Sequence, residues 1–268
     1  IGKKLFDQMG IANLDAARTM DGQRLIDEAT RLGFVPQGTI DAFVLPMQII
    51  DVFDNGLQAK VPLLAGFNSG ETRSQRMLVP PAPDNPKAYL DWVLARFGAL
   101  APAYLALYPA DDIEQSMLAA TRDAIYGWAT ERIVRKQAEQ GQSAYLYFFD
   151  HCYPAAKVRD LCSFHAGELP FVFGAIGSGR LPPNWPVPND PVDAELSGVM
   201  IDYWVSFATQ GRPASNHGPR WEPYDHDSAY MRFAGHPQAE NGLMPGMFTL
   251  HETVVEQQKT SGKQWFLG

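Results

Sequence analysis

The chain has 268 residues, 46% of them hydrophobic and 19% charged, a globular balance with material for a sizeable core. Its formal net charge is −8 and it contains no run of Lys and Arg, which argues against a nucleic-acid partner, because phosphate binding needs a basic face. The longest apolar runs, such as 61–67 and 145–149, fall well short of the ~20 residues that a membrane-crossing helix needs, so no membrane span is expected.

The first residue is Ile1 and no charged-then-apolar leader follows, so the natural start of the gene product is expected upstream. Residues 22–32 read as a helix: Leu25, Ile26, Ala29 and Leu32 recur at helical spacing and Gly33 is a natural stop. Residues 40–56 read as a short extended piece leading into a short helix, ended by Asn55 and Gly56. "VPLLAGFN" at 61–68 is a continuous apolar run between turn formers, the pattern of a strand buried on both faces. Four prolines make 79–86 a loop. A helical zone follows from about 86 to 107, and Asp111 or Asp112 caps a long helix running to about 140 and ended by Gly141.

"AYLYFFD" at 144–150 is a second buried strand, rich in aromatics. Residues 177–192 are loop again, and 192–209 form a helix with Leu196, Met200, Tyr203, Trp204 and Phe207 along a core stripe. A last short strand is expected at 229–233 and a terminal helix at 251–259. Strands alternating with long helices predict an α/β layer fold with a parallel sheet.

In such a sheet, reactive groups sit just past the carboxyl ends of strands. Glu71 lies three residues beyond Asn68, and a loop of about fifteen residues leads from the second strand to His165 in "SFHAGELPFVFG". An acid after one strand and a histidine after a later one is the chain order of the last two members of an α/β-hydrolase triad. A serine hydroxyl attacks poorly until a base removes its proton, and imidazole, with a reference pKa of ~6.5, both accepts and returns one near neutral pH. The carboxylate fixes the imidazole tautomer and stabilises the imidazolium. Taken alone, the same spacing also fits a structural histidine and a solvated loop glutamate.

Glu168, three residues beyond His165, is the rival acid and reads as a buried, hydrogen-bonded structural carboxylate. As a metal pair, His165 and Glu168 lack a third ligand at workable spacing, so no metal site is expected. His151, His217, His226, His236 and His251 sit in loops or near termini and are expected at the surface. No phosphate loop or dinucleotide fingerprint is present and no cofactor is implied. Cys152 and Cys162 either close a small loop, as in a periplasmic or secreted protein, or are two reduced thiols of a cytosolic one.

Five blocks occur in order: "VPLLAGFNSGE", "SAYLYFFDH", "FHAGELPFVFG", "MIDYWVSFATQGRP" and "PRWEPYD". Together they resemble the type B carboxylesterases, the cholinesterase-like serine esterases, from about residue 10 to about 235. The resemblance implies that residues 1–268 are the C-terminal portion of one α/β-hydrolase domain, with Glu71 as triad acid and His165 as base. It implies hydrolysis of a small-molecule carboxylic ester through an acyl-enzyme. The G-x-S-x-G nucleophile elbow is absent: "GFNSG" at 66–70 has its serine one place late, and "GSG" at 177–179 lacks the outer glycines.

The Gly-rich oxyanion segment is absent as well. In the resembled family both lie in the N-terminal half. The implied partner is therefore an N-terminal segment of the same enzyme, and the chain alone is expected to be inactive. Arg73, Ser74 and Gln75, with Met77, occupy the region that lines the gorge of the resembled fold, which makes them candidate substrate contacts. Their polarity points to a polar or charged ester. Cholinesterase-like folds also serve as non-catalytic binding or adhesion modules, and an intact or substituted serine upstream discriminates the two. Amidase or lactonase action on the same scaffold stays open.

Overall fold

The computed structural model describes residues 2–34, 38–225 and 227–261; the expectation for His226 lies outside them. The chain divides into two compact units, Ile1–Asn55 and Gly56–Gly268.

The first unit is helical. Helices α1 (Gly2–Met9) and α2 (Leu14–Arg18) lie outside the expected elements, whereas α3 (Gly22–Arg31) and α4 (Ile49–Asp54) fall where periodicity put them. Asn13 and Asp21 start α2 and α3 by accepting the N–H groups of Ala16 and Arg24, each of which would otherwise lack a helical partner. The extended piece expected at the start of 40–56 does not form. Asp41 Oδ1 accepts the N–H groups of Phe43, Val44 and Leu45 and curls the segment into a turn, a local competition that overrides its apolar composition.

The second unit is built on four strands, β1 (Leu63–Asn68), β2 (Ala144–Phe149), β3 (Ala229–Ala234) and β4 (His236–Asn241), in the order β1-β2-β3-β4. The first three run parallel and β4 returns antiparallel after Gly235, which takes φ +83. Around the sheet come α5 (Pro86–Phe97), α6 (Ala101–Leu107), α7 (Ile113–Arg122), α8 (Trp128–Glu139), α9 (Pro154–Lys157), α10 (Leu169–Val172), α11 (Pro191–Gln210) and α12 (Met247–Ser261). The α/β class read from alternating strands and helices is the class observed.

The aromatic strand β2 explains the layering. Its odd residues, Tyr145, Tyr147 and Phe149, pack with Phe171, Met200, Tyr203 and Phe233 on one face. Its even residues, Ala144, Leu146 and Phe148, pack with Phe67 and Val134 on the other. β1 is only half-buried over Leu63–Gly66, rather than covered on both faces, because it borders the sheet formed by the described residues. The single long helix expected from 112 to 140 is two helices, α7 and α8, joined by a π-helical turn at Asp123–Gly127; Asp112 caps the first through Gln115 N.

One stretch, Pro86–Leu107, is long and apolar enough to cross a membrane by length and composition alone, against the expectation from the longest apolar runs. It is two helices, α5 and α6, separated at Gly98 (φ +53) and packed through Tyr89, Val93 and Tyr104 into a core with Met117 and Leu250.

Candidate active site

Strands β1 and β2 run parallel with Asn68 opposite Phe149, so both end at the same edge of the sheet and the loops leaving them are neighbours. The loops are stitched by the backbone. Ser69 N donates to Phe149 O at 2.9 Å and Gly70 N to Ser163 O at 3.0 Å, and Gly70 pairs with Phe164 as an isolated parallel bridge. Position 70 must be glycine for this approach, since a Cβ there would stand 1.8 Å from the carbonyl oxygen of Cys162. Across the gap Ser163 and Ala166 hold φ values of +47 and +66, and Gly167 N donates to Phe164 O at 2.8 Å, closing a tight turn around His165.

That stitching brings the two sequence candidates together. Glu71 Oε2 lies 2.6 Å from His165 Nδ1, while Glu71 Oε1 accepts the N–H of Asn68 at 2.8 Å. The glutamate side chain is 6% exposed and the imidazole 45%, so the acid sits beneath the base. Burial pushes the Glu71 carboxyl above its usual range, and the Asn68 N–H and the imidazole only partly offset it. An ionised Glu71 accepts the proton carried on Nδ1, which leaves a lone pair on Nε2. Among the described residues no hydrogen-bond partner meets that nitrogen.

Glu168 does not bond His165. It is half-buried and accepts from Asn68 Nδ2 at 2.5 Å, and the same amide donates to Phe164 O at 2.9 Å. The remaining candidates separate. Arg73 turns to Asp160 and to Gln115, the latter at 2.5 Å. Gln75 accepts from Tyr126 OH at 2.5 Å, and the Tyr126 ring lies 5.4 Å from the His165 ring. Ser74 and Met77 are exposed. Tyr126 was not singled out in the sequence: it belongs to the π-helical turn, which no periodicity announces.

Two histidines expected at the surface are buried instead. His151 Nε2 meets Asp193 Oδ1 at 2.6 Å, and His251 Nε2 lies 2.9 Å from Tyr108 OH, which donates to Asp123. Burial lowers His251 to about 4, so it is a neutral core group. The partner in each case lies far along the chain, which composition near the histidine does not reveal. The sulfurs of Cys152 and Cys162 are bonded, closing the loop that precedes His165. Among the described residues no cluster of three or more His, Cys, Asp or Glu is arranged to hold a metal ion.

A mostly parallel sheet with an acid and a histidine meeting at its carboxyl edge is the layout of the α/β-hydrolase class. The carboxylesterase EST55 of Geobacillus stearothermophilus superposes with a TM-score of 0.73 at 25% identity, over 92% of this chain and 53% of that one. Among curated proteins, the fumonisin B1 esterase of Sphingopyxis macrogoltabida is 26% identical over 214 residues, 78% of this chain and 39% of that protein. An acylcarnitine hydrolase of Mus musculus is 31% identical over 126 residues, 44% of this chain and 21% of that protein. The Carboxylesterase family profile matches residues 102–249, and the chain belongs to that family. It spans about half the length of the solved carboxylesterase and less of the curated relatives.

Proposed function

We propose that this chain is the C-terminal part of a serine carboxylic ester hydrolase, supplying the Glu and the His of a Ser-His-Glu triad. The observation that carries the reading is the Glu71–His165 contact, 2.6 Å at Nδ1, between a buried carboxylate and a part-exposed imidazole. In the proposed reaction His165 Nε2 takes the proton of a serine hydroxyl as the oxygen attacks the ester carbonyl, and Glu71 holds the ring and stabilises the imidazolium. His165 then returns the proton to the departing alcohol, leaving an acyl-enzyme. A water, activated by the same nitrogen, releases the acid. The serine and the N–H donors of the oxyanion hole come from a segment outside these 268 residues, so this chain alone hydrolyses nothing.

The relatives' names cover an acylcarnitine and a fumonisin, so the reading stays at the class of carboxylic esters. Arg73 is engaged by Asp160 and Gln115, which leaves Gln75 and Tyr126 as the polar groups beside the base. The test is pre-steady-state hydrolysis of a p-nitrophenyl ester by the complete protein. A burst of about one equivalent of nitrophenol is expected, as acyl-enzyme accumulates. Absence of hydrolysis for a panel of short and long acyl chains, with the protein folded, contradicts the proposal and favours a binding module.

A further inference from the structure

We infer that Asp160 is a positioning residue for the esterase reaction: its carboxylate clamps the loop carrying Glu71 to the disulfide-closed loop that leads to His165. The inference rests on the triad reading. After Glu71 the chain leaves the sheet through two short 3-10 turns, Glu71–Arg73 and Arg76–Leu78. The near end of this loop is held by the backbone contacts of Ser69 and Gly70 and by Thr72 Oγ1, which donates to Leu118 O at 2.9 Å. Its far end is held by side chains. Asp160 Oδ1 accepts from Arg73, and Asp160 Oδ2 accepts from Arg76 at 2.6 Å. The arginines are tied in turn to α7, Arg73 to Gln115 and Arg76 to Glu114, each at 2.5 Å.

One carboxylate thus spends both oxygens on two arginines placed two and five residues beyond the acid. Asp160 itself is well fixed. It lies inside the loop closed by Cys152 and Cys162, takes φ +52, and its N–H donates to Lys157 O at 3.0 Å. The same loop runs directly into Ser163 and Phe164, whose carbonyls accept from Gly70 N and Asn68 Nδ2. The clamp and the backbone stitches therefore bracket the Glu71–His165 hydrogen bond from both sides. A lone half-exposed ion pair adds little to stability, because solvent screens it. A bridging carboxylate acts differently: it sets the separation of two loops whose relative position decides whether an acid and a base meet at hydrogen-bond distance, and small misplacements there cost rate.

The test is Asp160→Asn in the complete protein, since Asn tolerates the left-handed backbone while it removes the charge and turns one of the two acceptor oxygens into a donor NH2, so that it can accept from one arginine only. Read on a p-nitrophenyl ester, kcat should fall about tenfold with KM within about twofold, because the loss concerns geometry in the transition state rather than ester binding. Raising salt from about 50 mM to 1 M should lower kcat of the unaltered enzyme and leave kcat of the variant flat. His165→Ala run in parallel separates the outcomes. If it is inactive while Asp160→Asn matches the unaltered enzyme in kcat and in salt response, the clamp is overturned and the triad stands. If His165→Ala retains full activity, the triad reading fails and the role of Asp160 falls with it.

Discussion

Two histidine–carboxylate pairs share one distance and differ in the ring nitrogen they use, Nδ1 of His165 and Nε2 of His151, and in what surrounds them. His165 with Glu71 and His151 with Asp193 both meet at 2.6 Å. In the second pair both partners are buried, at 9% and 1% exposure, and the other oxygen of Asp193 accepts Asp190 N at 2.9 Å as part of the box that starts α11. In the first, the acid is buried but the base is 45% exposed. On the proposed reading, a short hydrogen bond between imidazole and carboxylate does not by itself tell the base from a structural histidine. What separates the two in this chain is the exposure of the imidazole, 45% for His165 against 9% for His151.

Substitutions should separate the pairs. The largest effect belongs to His165→Ala in the complete protein: turnover should fall by about 10⁴-fold or more, with the unfolding midpoint little changed. Glu71→Gln should lower kcat by about 10²–10⁴-fold, since the ring loses its tautomer control while the serine and oxyanion donors stay in place. His151→Ala should show the reverse pattern, a loss of about 2–4 kcal/mol in urea unfolding with turnover per folded molecule kept within a few-fold, because it leaves Asp193 buried without its partner. Equal loss of turnover in His151→Ala and His165→Ala would erase the distinction. Opening the Cys152–Cys162 loop with paired serines should cost about 2–3 kcal/mol by loop closure, measured in the same unfolding experiment.

The smallest effect concerns pH. Burial raises the Glu71 carboxyl in the folded protein, so the folded state holds that proton more tightly than the unfolded chain does. Stability from this group is complete below the unfolded carboxyl value and is lost as pH rises through the folded one. Glu71→Gln should accordingly be slightly more stable than the unaltered protein at neutral pH, with the gap closing as pH falls toward about 4, read by urea unfolding at several pH values.

Much of this was legible in the chain. The apolar run 61–68 and the aromatic run 144–150 announce β1 and β2, and the segments leaving those strands carry Glu71 directly and His165 at the end of a longer loop. What stayed hidden depends on distance along the chain. Asp160 reaches arginines 84 and 87 residues away, and His151 finds Asp193 42 residues on. β4 is read only from its pairing with β3, because "HPQAEN" is polar, mostly exposed and begins beside a proline. Asp41 bends an apolar stretch that composition favoured as extended, through three backbone bonds that only the folded turn displays.

The direct test of the triad is the rate at which a fluorophosphonate probe labels the complete protein and its His165→Ala variant, with the tagged residue located by peptide mass. The expected result is one serine, outside these 268 residues, labelled in the unaltered protein and labelled about 10³-fold or more slowly in the variant. Labelling at the same rate in both, or no labelled serine in the folded protein, would contradict the assignment of His165 as the base.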